Sequence, residues 1–279
     1  MVVEPASRGT RGRCFIRRLC VAAVLVSSCA GAFAAQPPLS LSYEPTGLGW
    51  SAAEVERVAS RQASPIVEQA RRGGELGCRD YCARLQALFD RLLPVARAQT
   101  AASARLSWSL MVVRTAAVDA FSLPDGTVVI SEAFVRQANP SDAELAFILA
   151  HEMAHSVLEH ERQALTFARM LLPRDVPRSV ADVYTELDHN FSLLKAMEAV
   201  MQQGEIEADE LGLLMASAAG FAPQAQIVFL EREAAEAAAQ AAERRLVGTH
   251  PTPALRLQRL RLRLPLAERV FGLAGAKAP

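Results

Sequence analysis

Ser141-Asp142-Ala143-Glu144-Leu145-Ala146-Phe147-Ile148-Leu149-Ala150-His151-Glu152-Met153-Ala154-His155 is the stretch on which the reading of this chain turns. Ser141 followed three residues later by Glu144 is the signature of a capping box, which starts a helix by satisfying its first free backbone donors. Leu145, Phe147, Ile148 and Leu149 carry that helix onward into His151-Glu152-x-x-His155. Four residues turn an α-helix by about 400°, so His151 and His155 share one face, roughly 40° apart. Two imidazoles so placed can hold one zinc ion, with Glu152 at the side of that face, within reach of a metal-bound water. With 5 histidines in 279 residues, chance supplies such a motif with an expectation of roughly 0.007. The competing reading, two unrelated histidines at helical spacing, is correspondingly weak.

A catalytic zinc needs a third protein ligand and an open position. The candidates lie in Glu205-Ile206-Glu207-Ala208-Asp209. Glu205 and Asp209, four apart, suit a ligand carboxylate and a carboxylate that orients a ligand histidine. Glu207 competes with Glu205 for the metal. The two point about 200° apart on a helix, so only one can serve, and the spacing leaves both open. His160, nine residues after His151, projects to the far side of a continuous helix and reads as a surface residue. His189 has no partner motif and reads as a bystander.

Outward from these motifs, the pattern is α+β and predominantly α-helical. Residues 106–114 alternate and end β-branched; 117–123 and 127–130 are two further short extended pieces, joined by the turn Pro124-Asp125-Gly126. After Ser131 everything is helical in pattern, broken at 139–140, 173–177, 220–223 and 248–253. Residues 231–245, rich in Ala, Glu and Arg, read as a solvated helix face. Upstream, 35–49 reads as an extended arm, and helices are expected over 50–72 and 78–99, a pair separated by Gly73-Gly74. The expected divisions are a signal at 1–34, an N-terminal arm and helices at 35–100, and a metal-binding domain at 101–279.

Composition narrows the function. Hydrophobic residues make up 51%, which excludes a disordered chain. The 30 basic residues balance the 30 acidic ones, so the basic excess of a nucleic-acid binder is missing. The balance is uneven, however. Arg8, Arg11, Arg13, Arg17 and Arg18 precede an apolar run at 19–26, with Glu4 the only acid before residue 35. Setting these aside leaves 25 basic against 29 acidic residues, a net charge of −4. A basic head, a short apolar run and Ala32-Phe33-Ala34 form an export signal cleaved after Ala34. Val26-Ser27-Ser28-Cys29 offers a second outcome, a lipobox with a lipid on Cys29. Either places the protein in the bacterial envelope, in the periplasm or lipid-anchored to the outer membrane. Cleavage after Ala34 leaves Cys78 and Cys82, an even pair suited to a disulfide in an oxidising compartment. On a regular helix their Cα atoms would be about 6 Å apart, near the upper limit, so the bond requires a distorted helix start, which Gly77 makes accessible.

H-E-x-x-H followed by E-x-x-A-D-x-x-G, here Glu205 to Gly212, resembles the gluzincin metallopeptidase family of the CAAX prenyl proteases, HtpX and BepA, peptidase family M48. Three further segments resemble family motifs. They are Asp119-Ala120-Phe121-Ser122-Leu123-Pro124-Asp125-Gly126, Ala219-Gly220-Phe221-Ala222-Pro223, and Thr249-His250-Pro251 with Arg256. The likeness covers roughly 106–264. It implies a zincin-like domain, one zinc per chain held by His151, His155 and Glu205, and Asp209 as the partner of a ligand histidine. It also implies peptide hydrolysis with Glu152 as general base, and His250 or Arg256 as donor to the oxyanion. The substrates implied are unfolded or misfolded envelope proteins, held by strand addition to 127–130, with outer-membrane association possible. The alternative is a chaperone or assembly factor with a dormant or structural zinc site. Asp119 departs from the family's usual Asn. The stretch 161–201 matches nothing in the family and is the place for a lid or substrate-selecting element. The chain resembles the members without transmembrane helices.

Overall fold

The computed structural model describes residues 49–239 and 252–275. The expected export signal, its lipobox alternative at Cys29, and His250 lie outside the described residues. In chain order the elements are helices α1 (Ala52–Arg72) and α2 (Cys82–Arg97), and strands β1 (Ser109–Val113), β2 (Ala120–Ser122) and β3 (Thr127–Ser131). Helices α3 (Glu132–Ala138), α4 (Asp142–Val157), α5 (His160–Leu171), α6 (Val180–His189), α7 (Phe191–Ala218), α8 (Gln224–Ala239) and α9 (Pro253–Gly275) follow. The fold is mostly helical with one small mixed sheet, as expected of a zincin.

The strand order is β1-β3-β2. β1 runs parallel to β3, pairing Ser109 with Thr127, and β2 runs antiparallel to it, pairing Ala120 with Ile130. All of β3 is buried, as befits a strand covered on both faces. The expectation that 127–130 pairs with substrate is therefore corrected: β3 is the central strand, and its backbone is already committed on both sides. The outer strands of the sheet are β1 and β2. The β2–β3 turn is held by Asp125, whose carboxylate accepts from the Thr127 N–H at 2.8 Å. Gly126 takes φ +92°, and a Cβ there would sit 3.1 Å from Leu106 and the Trp108 ring. That position needs glycine for both conformation and space.

α4 starts with the expected capping box: the Ser141 side chain accepts from Glu144 N–H, and Glu144 accepts from the Ser141 N–H. Most of α4 is buried, including Leu145, Phe147, Leu149 and Met153, and so is the second half of α7, with Leu211, Leu213 and Leu214. α2 joins this cluster through Leu85, Phe89 and Leu92, and α9 through Leu260 and Val270. α1 goes elsewhere. Its Val55 packs with Leu165 of α5, Val183 of α6 and Met197 of α7 in a second cluster. The two N-terminal helices thus serve different cores, and the stretch 161–201 is built around α1.

Cys78 and Cys82 are joined by a disulfide, with Cα atoms 5.5 Å apart. Cys78 lies ahead of α2, just after Gly77 at φ +98°, so the pair does not span a regular helical turn. The bridged loop wraps a carboxylate. Glu132 Oε1 accepts from the N–H groups of Asp80, Arg79 and Tyr81 at 2.6, 2.9 and 3.3 Å, and Glu132 is fully shielded from solvent. Burial alone would raise its pKa. The three backbone donors, aided by the Arg136 charge, outweigh that and hold it below the usual carboxylate value. A carboxylate depressed in the folded state stabilises the fold above its unfolded pKa, about 4.3, and that contribution fades as pH falls through the lower folded value. Glu132→Gln should therefore cost about 1.5–3 kcal/mol at pH 7. The gap to wild type should narrow below about pH 4, as read from denaturant unfolding across pH. A gap independent of pH would contradict the charged-state account.

Candidate metal centre

His151 and His155 leave α4 on one side, and Glu205 of α7 faces them. His151 Nε2 and His155 Nε2 are 3.2 Å apart. Glu205 places its two oxygens 3.6 Å from His151 Nε2 and 3.4 Å from His155 Nε2. These three side chains form a cluster able to hold a metal ion. A tetrahedral zinc with bonds of about 2.0–2.1 Å sets its ligand atoms roughly 3.4 Å from one another, close to the 3.2 Å between the two nitrogens and to the distance of each nitrogen from one of the Glu205 oxygens. Of the two competing acids, Glu205 is the one brought to the histidines. Glu207 pairs with His160 instead.

The helix crossing sets this geometry. Gly212, the last residue of the second motif, lies against the α4 backbone. A Cβ there would sit 2.9 Å from the His151 backbone nitrogen and 3.0 Å from its Cα. Neither atom can move without shifting the helix that carries both ligands.

Behind His151 stands Asp209, fully buried, with Oδ1 2.9 Å from His151 Nδ1. Arg256 of α9 grips the same carboxylate with two hydrogen bonds, from Nε at 2.7 Å and from a terminal nitrogen at 2.6 Å. The expectation that Arg256 donates to the oxyanion is corrected by this placement. Its guanidinium is committed to Asp209, behind the histidine, and the residue does not line the cleft. Burial works against a charge on His151, but the hydrogen bonds and charges of Asp209 and Glu205 prevail and hold its pKa up at about 10. His155 moves well below its ordinary value, through burial first and then repulsion from His151 and His160. The two carboxylates create a field that favours positive charge at the imidazole cluster.

His160 is also corrected. It is buried, and its Nδ1 lies 3.0 Å from His155 Nδ1. Counting 100° per residue from His151 fails because Glu159 takes a left-handed conformation, φ +53°, which ends α4 and turns the chain back. The far ring nitrogen of His160 lies 3.3 Å from Glu207, so the losing competitor for the metal has a partner of its own. His189, by contrast, lies at the end of α6, apart from the cluster.

The histidines and Glu205 open onto a cleft of about 730 Å³. One wall is the β2 edge and its turn, with Phe121 and Asp125; the other is α5 and α7, with Glu161 and Met201. Glu152 lines the same cleft. Tyr184 of α6 donates to Glu161, a residue of that wall, at 2.5 Å. The stretch 161–201 therefore forms a cleft wall.

This arrangement is that of a metallopeptidase centre, and the chain belongs to peptidase family M48, whose pattern matches residues 82–264. It is 32% identical over 167 residues to the mitochondrial metalloendopeptidase OMA1 of Schizosaccharomyces pombe, covering 58% of this chain and 48% of that protein. It is 29% identical over 172 residues to the beta-barrel assembly-enhancing protease of Yersinia pestis, covering 58% of this chain and 35% of that protein. With human OMA1 the identity is 27% over 142 residues, 46% of this chain and 26% of that one. The chain thus spans half or less of the length of these relatives.

Glu205→Ala should abolish zinc binding, whereas Glu207→Ala should keep a full equivalent at saturating zinc, both read by native mass spectrometry. The reverse pattern would overturn the ligand assignment. Asp209→Ala should weaken zinc binding about 10- to 100-fold in chelator competition. Gly212→Ala would gain helix propensity elsewhere, but here overpacking should lower stability by about 1–3 kcal/mol. A higher melting temperature for this variant would contradict the close crossing.

Proposed function

We propose that this chain is a zinc-dependent endopeptidase, with the zinc held by His151, His155 and Glu205. The observation that carries the reading is that the three ligand groups and Glu152 line one cleft beside a sheet edge. When bound, zinc supplies a Lewis acid that brings the pKa of a water towards about 7. The residues do the rest. Glu152 takes the proton of the attacking water and delivers it to the leaving amine. Asp209 and Arg256 hold His151 in place. The outer edge of β2 can take an extended peptide by main-chain hydrogen bonds, reading backbone more than side chain and suiting unfolded segments. His250, outside the described residues, enters the proposal from its sequence motif alone, as a candidate to cover the metal's open position or to hydrogen-bond the oxyanion.

The setting proposed is the bacterial envelope, and the substrates misfolded or unassembled envelope proteins. The basic head followed by an apolar run supports this, as does likeness to a protease named for β-barrel assembly. The relatives named as mitochondrial weigh on the other side. No helix among the described residues is long and apolar enough to cross a membrane.

Casein cleavage by the purified chain tests the activity. Glu152→Gln should retain zinc and lose about 10²–10⁴-fold in turnover, and a chelator should silence the wild type. Proteolysis that survives both changes sinks the mechanism. Suppression of aggregation without any cleavage would instead favour the chaperone reading.

A further inference from the structure

The two ligand histidines are supported differently. His151 leans on a carboxylate that is itself gripped by arginine. His155 leans on a second imidazole, which the proposed reaction does not otherwise use. We propose that His160 is the positioning residue of His155: it accepts the His155 Nδ1–H and donates its own Nε2–H to Glu207, leaving the His155 Nε2 lone pair directed at the metal. The proposal rests on the metal reading of His151, His155 and Glu205 and extends it to residues outside the ligand set.

The direction of this chain of hydrogen bonds follows from its partners. Glu207 Oε2 lies 3.3 Å from His160 Nε2, and a carboxylate can only accept. Gln203 fixes Glu207 from the preceding turn of α7, donating to Oε1 at 2.8 Å. The proton of a neutral His160 therefore sits on Nε2, and its Nδ1 is an acceptor. That acceptor lies 3.0 Å from His155 Nδ1, which must then carry the His155 proton. The reverse assignment would face two acceptors at Glu207 and put a proton on His155 Nε2, 3.2 Å from His151 Nε2 and 3.4 Å from Glu205. Of the two neutral tautomer pairs, only the first gives Glu207 a donor, and it leaves the metal-facing nitrogen free to ligate. A metal-ligating histidine commonly gives its other N–H to an outer partner that fixes tautomer and ring orientation. Here that partner is an imidazole, and the carboxylate stands one ring further out. The backbone seats His160 in this position. The left-handed turn at Glu159 aims it inward, against α7 at Gly204, where even a Cβ would be in ordinary contact with the ring at 3.5 Å.

The test measures zinc affinity by chelator competition, and the absorption spectrum of the cobalt-substituted protein, for wild type, His160→Phe and His160→Asn. His160→Phe keeps the ring volume and removes the acceptor; it should weaken zinc about 10- to 100-fold and shift the cobalt bands. His160→Asn, whose Oδ1 replaces Nδ1 as acceptor, should restore most of the loss. Glu207→Ala should weaken zinc in the wild-type background and add little to His160→Phe, because the two act in series. Unchanged affinity and spectrum in His160→Phe, or equal losses in the Phe and Asn variants, overturns the proposal. Should His160→Phe not fold, Glu207→Ala with wild-type affinity and spectrum overturns it equally. A wild type that binds no zinc or cobalt sinks the metal reading together with this one, whereas the variant results sink this one alone.

Discussion

The close crossing of α4 and α7 at Gly212 is the constraint on which the rest depends. The His151 backbone lies so near α7 that a Cβ at Gly212 would meet it at 2.9 Å. That contact brings Glu205, two turns earlier on α7, to the imidazoles of α4, and sets Asp209 behind His151. The ligands come from rigid, buried helices rather than from loops, and this holds a metal site to sub-ångström tolerance. The small sheet completes the arrangement by lending the cleft an edge strand, while its central strand β3 is sealed on both sides.

The electrostatics follow from the same packing. Asp209 has no solvent exposure and answers to both His151 and Arg256. The Arg256 charge, together with His151, outweighs burial and keeps Asp209 ionised. α9 therefore reaches the site without lining the cleft: its arginine stabilises an anion, which orients His151. On the other side of the centre, α5 and the middle of α7 supply His160 and Glu207. The segment 161–201 thus contributes both a wall of the cleft and, through its flanks, the setting of one ligand.

Much of this was legible in the residues. The capping box at Ser141, the spacing of His151 and His155, the pairing of Glu205 with Asp209, and the two glycine-marked turns are local signals, and local signals survive folding. The Cys78–Cys82 bridge was legible for the same reason. What could not be read depends on contacts distant in sequence or on single backbone torsions. Strand order is one case: 127–130 read as a free strand because alternation cannot tell a central strand from an edge. Arg256 read as an oxyanion donor because the motif gives proximity to the site but not the side from which it approaches. His160 read as a surface residue because helical counting assumed a continuous helix, and one left-handed residue, Glu159, breaks it. A non-glycine residue at positive φ has no dependable sequence mark.

The measurement that bears most directly on the centre is zinc-edge X-ray absorption of the purified protein. The expected spectrum shows a shell of nitrogen and oxygen at about 2.0–2.1 Å, with the outer-shell pattern of two imidazoles that halves in His155→Ala. A sulfur shell at about 2.3 Å, or imidazole scattering that His155→Ala leaves unchanged, would contradict a centre built on the α4–α7 crossing.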